Sequence, residues 1–301
     1  MLTSPQRSQY DIVAVVGPTA SGKSDLAVAL AQRWGGEVLI CDAYQLRDGL
    51  PILTAKPTLE EQRGIPHHLL GVFPMREPVT AAAFVGSADP VIATLRAQGR
   101  PVIVCGGTGL YLRALCRGLF AGPLAHTGLR EELRTRRESE GTLALYAQLV
   151  QVDPVVAARI APQDYVRIER ALEVFLLTGR PISDWHAESQ QQPERYRAFR
   201  IGLDPGTDVL RERIRQRVER MFERGVLDEV AAYHAWEGIP VGPPLGYELL
   251  LAVQAGTLGQ QQASEQLITQ TAQYARRQRT WFRKEPDIHW FASPEETMRN
   301  L

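Results

Sequence analysis

Apolar residues along this chain come in short blocks that end on glycine or aspartate, with helical stretches between them. Residues 11–16 (DIVAVV) form the first block, which stops at Gly17 and is followed by a helical pattern over 24–33. A second block, 38–41, ends at Asp42. A third, 102–105, runs into Gly106-Gly107 and then an apolar helix over 110–115. Runs at 199–203 and 288–291 extend the series. Short strands without a polar face, alternating with helices, predict an α/β fold built on a parallel sheet. Ligands of such sheets sit at the carboxyl ends of the strands, where Gly17, Asp42 and Gly106 to Thr108 all fall.

Between 122 and 193 the pattern changes. Strand signals stop, and helical stretches follow one another at 129–139, 143–151, 154–160 and 165–178. The linker-like sequences GPLAHTG and QQQPER bracket this region. It is expected to be an all-helical insertion, dividing the α/β core into residues 1–121 and 194–301. Beyond it, Leu210, Ile214, Val218 and Met221 recur at helical spacing, and a last long helix over 260–283 ends before Pro286.

Composition narrows the function. With 301 residues, 44% hydrophobic and 23% charged, the chain can bury a sizeable core. No apolar run approaches the roughly 18 residues a membrane span needs. Cys41, Cys105 and Cys116 show no CxxC spacing and leave an odd one in any pairing. They read as reduced, small apolar residues of a cytoplasmic protein. The histidines form no metal-ligand spacing, and His67-His68 is read as packing and hydrogen bonding. Net charge is 0, which argues against indiscriminate coating of DNA but leaves room for a local patch on a shaped RNA. The basic residues are 31 Arg and only three Lys, at 23, 56 and 284. A lysine retained in such a chain suggests a place that requires a compact ammonium.

The strongest motif is Gly17-Pro18-Thr19-Ala20-Ser21-Gly22-Lys23-Ser24. It matches G-x-x-x-x-G-K-[ST] and lies between a strand and a helix. Its backbone N–H groups and the helix N-terminus suit a phosphate, Lys23 its charge, and the Ser24 hydroxyl a Mg2+ ion. The motif leaves open which phosphates it holds: ATP, GTP and an isoprenoid diphosphate offer the same handle. Asp42, at the ligand edge, reads as a Mg2+ ligand, as a general base, or as a turn residue. The CGGTGLY segment adds the hydroxyl of Thr108 beside glycines that admit close backbone approach. Finally, residues 271–284 carry five positive charges and no acid among Tyr274, Trp281 and Phe282. Such a run suits a solvated helix face, and equally RNA phosphates and stacked bases.

Together these segments resemble the bacterial tRNA dimethylallyltransferases, also called the IPP transferase family. The resemblance runs in order through GPTASGKS (17–24), TAKPT (54–58), IPHHLL (65–70), CGGTGLYL (105–112), RIERALEV (167–174), TGRPIS (178–183), RIRQRVERM (213–221), LGYELL (245–250) and YARRQRTWFRKEPDIHWF (274–291). It implies a P-loop NTPase-like core whose helical insertion grips the anticodon stem-loop of tRNA. The implied reaction moves a dimethylallyl group from dimethylallyl diphosphate, held by the P-loop with Mg2+ at Ser24, to N6 of the adenine following the anticodon. Asp42 resembles the family's general base and Thr108 its partner. The tRNA contacts it implies are Asp42, Ala43, Tyr44, Gln45, Thr108, Arg130, Val166, Arg167, Ile168, Glu169 and Arg170. They continue through Leu245, Gly246, Tyr247 and Glu248 to Arg276, Arg277, Gln278, Arg279, Thr280, Trp281, Phe282 and Arg283. The chain is expected to act as a monomer, away from membranes.

There are departures. The family segment S-D-S-[RA]-Q-V-Y is here Cys41-Asp42-Ala43-Tyr44-Gln45-Leu46-Arg47, so Arg47 stands where an aromatic is usual. Gly71 takes the place of a common Asp, and Glu248 that of a basic or polar residue. A small-molecule or nucleoside kinase would account for the P-loop and Asp42, but leaves TAKPT, RALEV and RQRTWFR unused. An RNA-binding protein without chemistry would leave Asp42 dispensable.

Overall fold

The structure is a computed structural model that describes residues 9–119 and 122–301. The outer limits expected for the core, at residues 1–8 and 120–121, lie outside the described residues. Six strands form one sheet in the order β3-β2-β4-β1-β5-β6. They are β1 (Ile12–Val16), β2 (Glu37–Ile40), β3 (His67–His68), β4 (Val102–Gly106), β5 (Ala198–Leu203) and β6 (Ile288–Phe291). Every pairing is parallel, with Val13 opposite both Ile103 and Phe199. All residues of β1, β2, β4 and β5 are buried, as a sheet covered on both faces requires.

β3 was not anticipated, because two residues carry no periodicity. Its backbone is recruited through register, with Val38 opposite His67, and its side chain by Glu37, which pairs with both His68 and Arg100. Helices α1 (Lys23–Trp34), α2 (Leu59–Gln62), α3 (Ala81–Ala97) and α4 (Gly109–Arg117) fill the first half of the sheet's connections. α3 also escaped the sequence reading. Gly86 and Pro90 interrupt its pattern, yet Phe84, Val85, Ala88, Ile92 and Leu95 form one buried stripe. Thr80 caps its start, accepting the N–H of Ala83 at 3.1 Å.

The chain divides into two compact units. The second spans Arg117–Arg195, and the first comprises the remaining described residues. Within the second, α5 (Thr127–Glu140), α6 (Thr142–Val152), α7 (Pro154–Ala157), α8 (Tyr165–Thr178) and α9 (Ile182–Gln191) enclose their own core of Leu133, Leu145, Leu149, Ile168 and Leu172. Glu173 is fully buried there. It accepts two bonds from Arg130 at 2.9 and 3.0 Å, one from the His126 N–H at 2.7 Å and one from Arg170 at 2.5 Å. These donors hold its carboxyl below the usual range against the opposing pull of burial.

Back in the first unit, α10 (Thr207–Glu223), α11 (Val226–Glu237), α12 (Tyr247–Gln254), α13 (Gln260–Phe282) and α14 (Pro294–Asn300) complete the chain. α10 packs on α13, and α12 packs on both α11 and α13. The stripe Leu210, Ile214, Val218 and Met221 is buried, so α10 is amphipathic as its spacing predicts. Among the described residues no helix is long and apolar enough to cross a membrane.

Candidate active site

The P-loop leaves the carboxyl end of β1 and closes on α1. Gly22 precedes that helix at φ +95°, a left-handed conformation that keeps the turn tight where a Cβ would be strained. Ser21 Oγ is buried with no partner among the described residues. Lys23 Nζ rests on the Pro18 carbonyl at 3.3 Å. Burial lowers the Lys23 pKa from 10.5, with Asp42 opposing and Arg217 assisting the shift.

Asp42 lies just past the end of β2. Its Oδ1 accepts the N–H groups of Tyr44 at 3.1 Å and Gln45 at 3.4 Å, an arrangement that fixes the carboxylate at the head of a turn. Thr108 braces the same turn from β4's end: its Oγ1 accepts the Ala43 N–H at 3.0 Å, and its own N–H donates to the Cys41 carbonyl at 3.3 Å. Gln45 ties the turn to the TAKPT segment through the Ala55 carbonyl at 2.8 Å. Arg47 closes it. Only 4% exposed, Arg47 donates to the carbonyls of Gly242 at 3.1 Å, Val241 at 2.5 Å and Met75, and its Nε has no partner among the described residues.

A cavity of about 1070 Å3 joins Thr19, Ala20, Gly22, Lys23 and Ser24 to Asp42, Tyr44, Gln45 and Tyr274. One part of its wall is cationic, and the sequence reading missed most of it. Arg213 donates to the Ser21 carbonyl at 3.1 Å and Arg217 to Thr19 Oγ1 at 2.9 Å. Their i,i+4 spacing on α10, beside the apolar stripe, was the signal available in the sequence. Burial works against the Arg217 charge while Asp42 supports it, so an anion entering here meets a partly desolvated cation. Another part of the wall is apolar, with Ile52, Leu53, Val218, Met221, Leu245 and Leu267. Tyr274 is pushed up by burial and by Asp42, which keeps its hydroxyl neutral. Thr108 does not line the cavity; it acts from behind Ala43.

Among the described residues no group of three or more His, Cys, Asp or Glu stands together to hold a metal. A Mg2+ ion bound chiefly by substrate phosphates and water needs only one or two hard oxygen ligands from the protein. The Ser24 hydroxyl and Asp42 carboxylate open onto the same cavity and fit that requirement.

The residues expected at RNA divide sharply. Val166, Arg167, Glu248, Arg276, Arg277, Thr280 and Arg283 are exposed. Ile168, Tyr247 and Phe282 are buried in cores, so their side chains are structural rather than offered to a ligand. Gly246, at φ +88°, is the left-handed residue opening α12, where Tyr247 donates to the Gly238 carbonyl at 3.0 Å. Arg130 and Arg170 are committed to Glu173, and Glu169 accepts from the Tyr165 hydroxyl at 2.7 Å. Arg279 and Arg283 both pair with Asp204, at 2.7 and 2.9 Å. Trp281 packs against the core with the Arg113 guanidinium 4.5 Å from its ring. Gln278 is buried and bonded to Thr19 and Gly107, not presented at the surface.

Residues 45–285 match the family model described as IPP transferase. A tRNA dimethylallyltransferase of Geobacter metallireducens is 42% identical over 288 residues, 94% of this chain and 93% of that protein. One of Anaeromyxobacter dehalogenans is 44% identical over 285 residues, 94% of this chain and 95% of its own length. Among solved structures, a full-length tRNA isopentenylpyrophosphate transferase of Bacillus halodurans superimposes with a TM-score of 0.67 at 36% identity, over 93% of this chain and 89% of that one. A eukaryotic dimethylallyltransferase acting on tRNA gives 0.73 at 28% identity, over 94% and 74%.

Proposed function

Because this chain belongs to the IPP transferase family, we propose that it transfers a dimethylallyl group from dimethylallyl diphosphate to N6 of the adenine following the anticodon of a tRNA. The observation that carries the reading is the two-sided cavity. Lys23, Arg213 and Arg217 suit a polyanionic head, and the Ile52, Leu53, Val218 and Leu267 wall suits a short apolar tail. A nucleotide's ribose and base would gain little from that wall.

In this reading the P-loop amides, Lys23 and Arg217 hold the diphosphate and stabilise the charge it gains as the C1–O bond breaks. The adenine amine is a weak nucleophile, since its lone pair is delocalised into the ring. Asp42, already oriented by the Tyr44 and Gln45 N–H groups, accepts the N6 proton as the C1–N6 bond forms. Thr108 holds the backbone of that turn. Mg2+, bound through Ser24 with Asp42 nearby, would supply electrostatic stabilisation of the leaving diphosphate. A target base in a single-stranded loop leaves its stack at a cost of only a few kcal/mol. Cys41, Cys105 and Cys116, buried and outside any disulfide, suit a reducing cytoplasm.

The test is incubation with unmodified tRNA and labelled dimethylallyl diphosphate, with labelled ATP in parallel. Label on the adenine following the anticodon is expected. ATP-dependent phosphorylation without prenyl transfer would refute the reading.

A further inference from the structure

Gln278 sits on the run of α13 that the charge pattern marks for RNA, yet it is only 5% exposed. Its side chain turns inward and spans the two glycine-rich turns. Oε1 accepts the Thr19 N–H at 2.8 Å, and Nε2 donates to the Gly107 carbonyl at 3.0 Å. The first partner belongs to the P-loop, and the second immediately precedes Thr108, which braces the Asp42 turn. A backbone N–H only donates and a carbonyl only accepts, so the orientation of the amide is forced. Gly107 accommodates it by lacking a side chain, since a Cβ there would come within 2.2 Å of Nε2. Of the common side chains this long, only an uncharged amide meets both turns at once: Glu lacks the donor, Met lacks both functions, and Lys or Arg lacks the acceptor.

We infer that Gln278 is a positioning residue for the transfer reaction, setting the spacing between the turn that holds the leaving diphosphate and the turn that presents the base. The inference rests on the prenyl-transfer reading of the site. Its physical basis is that reacting atoms must be held near 3–3.5 Å, and a misplacement of about 1 Å lowers the rate on the order of a hundredfold. The two bonds act on different quantities. The Thr19 bond shapes the phosphate cradle and so governs binding of the donor. The Gly107 bond governs where Thr108 and Asp42 stand relative to it, and so governs the chemical step.

Two variants separate them. Gln278→Glu keeps an acceptor for Thr19 but turns a lone pair toward the Gly107 carbonyl. Its kcat is expected to fall on the order of a hundredfold, and because its added charge repels the diphosphate its KM for dimethylallyl diphosphate rises too, so the hydrogen-exchange readout, not KM, tells it from the Met variant. Gln278→Met keeps length and volume but makes neither bond. It is expected to lose kcat likewise, and also to raise that KM roughly tenfold, the effect of one lost bond of about 1.4 kcal/mol. Hydrogen exchange at the Thr19 N–H should stay protected in the Glu variant and quicken in the Met variant. Wild-type kcat in Gln278→Glu would overturn the inference, as would a rise confined to the KM for tRNA, which would return Gln278 to the RNA surface. Equal loss of all parameters together with a lowered Tm would reduce it to a packing residue. If the wild-type chain transfers no prenyl group, the reading of the site fails instead. The exchange experiment then decides alone, and an unchanged Thr19 N–H in Gln278→Met overturns the inference.

Discussion

Replacing Asp42 by Asn removes a charge and a base while keeping the size and shape of the side chain. Oδ1 accepts two N–H groups, from Tyr44 at 3.1 Å and Gln45 at 3.4 Å, and an asparagine oxygen can accept the same two, more weakly for want of the charge. The turn, braced independently by Thr108 at 3.0 Å, is therefore expected to hold its shape. Two things are lost: a proton acceptor, and a negative charge that supports the protonated forms of Lys23 and Arg217. A positioned base contributes on the order of a hundredfold to ten-thousandfold, or about 3–5 kcal/mol of barrier. The lost charge acts the other way on donor binding, because Asp42 repels a diphosphate entering the same cavity. The expected signature is thus a kcat lower by that factor, with a KM for dimethylallyl diphosphate that is unchanged or lower. Steady-state prenylation of a saturating anticodon stem-loop measures both. A kcat within tenfold of wild type would refute the base assignment. So would a raised KM at normal kcat, which would make Asp42 a ligand for Mg2+ rather than a base.

The same geometry sorts the arginines of α13. Arg276→Gln and Arg277→Gln should each weaken tRNA binding and flatten its log–log salt dependence by about 0.7 to 1, whereas Arg279→Gln and Arg283→Gln, already paired with Asp204, should leave the slope unchanged; equal slopes across all four would refute this. In the helical unit, Glu173→Gln should destabilise by about 2 kcal/mol, less than the loss of a wholly buried pair because the Arg130 side chain is 40% exposed. Since the folded pKa of Glu173 is depressed, its contribution is present above its ordinary 4.5 and lost as pH falls through the folded value, so the variant should show a flatter unfolding profile below pH 4.5. Cys105 is held at about 11 by burial, and Cys41 and Cys116 are buried as well, so a maleimide should label no thiol in the native chain at pH 7.5 and all three after denaturation.

Strands buried on both faces announce themselves by composition, so β1, β2, β4 and β5 were legible in the sequence, as were the short apolar run of the less buried β6 and the periodic helices α1, α5, α6, α8, α10 and α13. β3 was not, because its two residues are recruited through Glu37 on the neighbouring strand. α3 was obscured by Gly86 and Pro90, which local rules read as breaks although one buried stripe runs past both. At the site, the P-loop and Asp42 were legible from spacing and strand ends. What spacing did not reveal was direction. Of neighbours on one helix, Arg277 faces solvent while Gln278 faces the P-loop, and only the packing of α13 decides which is which. Arg213 and Arg217 were hidden for the same reason: charges beside an apolar stripe look like solvated flank until the P-loop is set against them.

Arg47 makes three separate stretches of chain a single unit of inheritance. Its guanidinium satisfies carbonyls at Met75, Val241 and Gly242, which have no other donor in common. A hybrid that imported residues 42–47 from a relative with an aromatic at this place would take that donor away, leaving the Met75 carbonyl only the Val241 N–H and the carbonyls of exposed Val241 and Gly242 to water. Importing the 73–75 or 239–242 stretch alone would conversely leave a buried cation facing groups not shaped to receive it. Viable exchanges between family members should therefore move all three stretches together, and natural sequences that carry arginine here should be found to vary at them in concert.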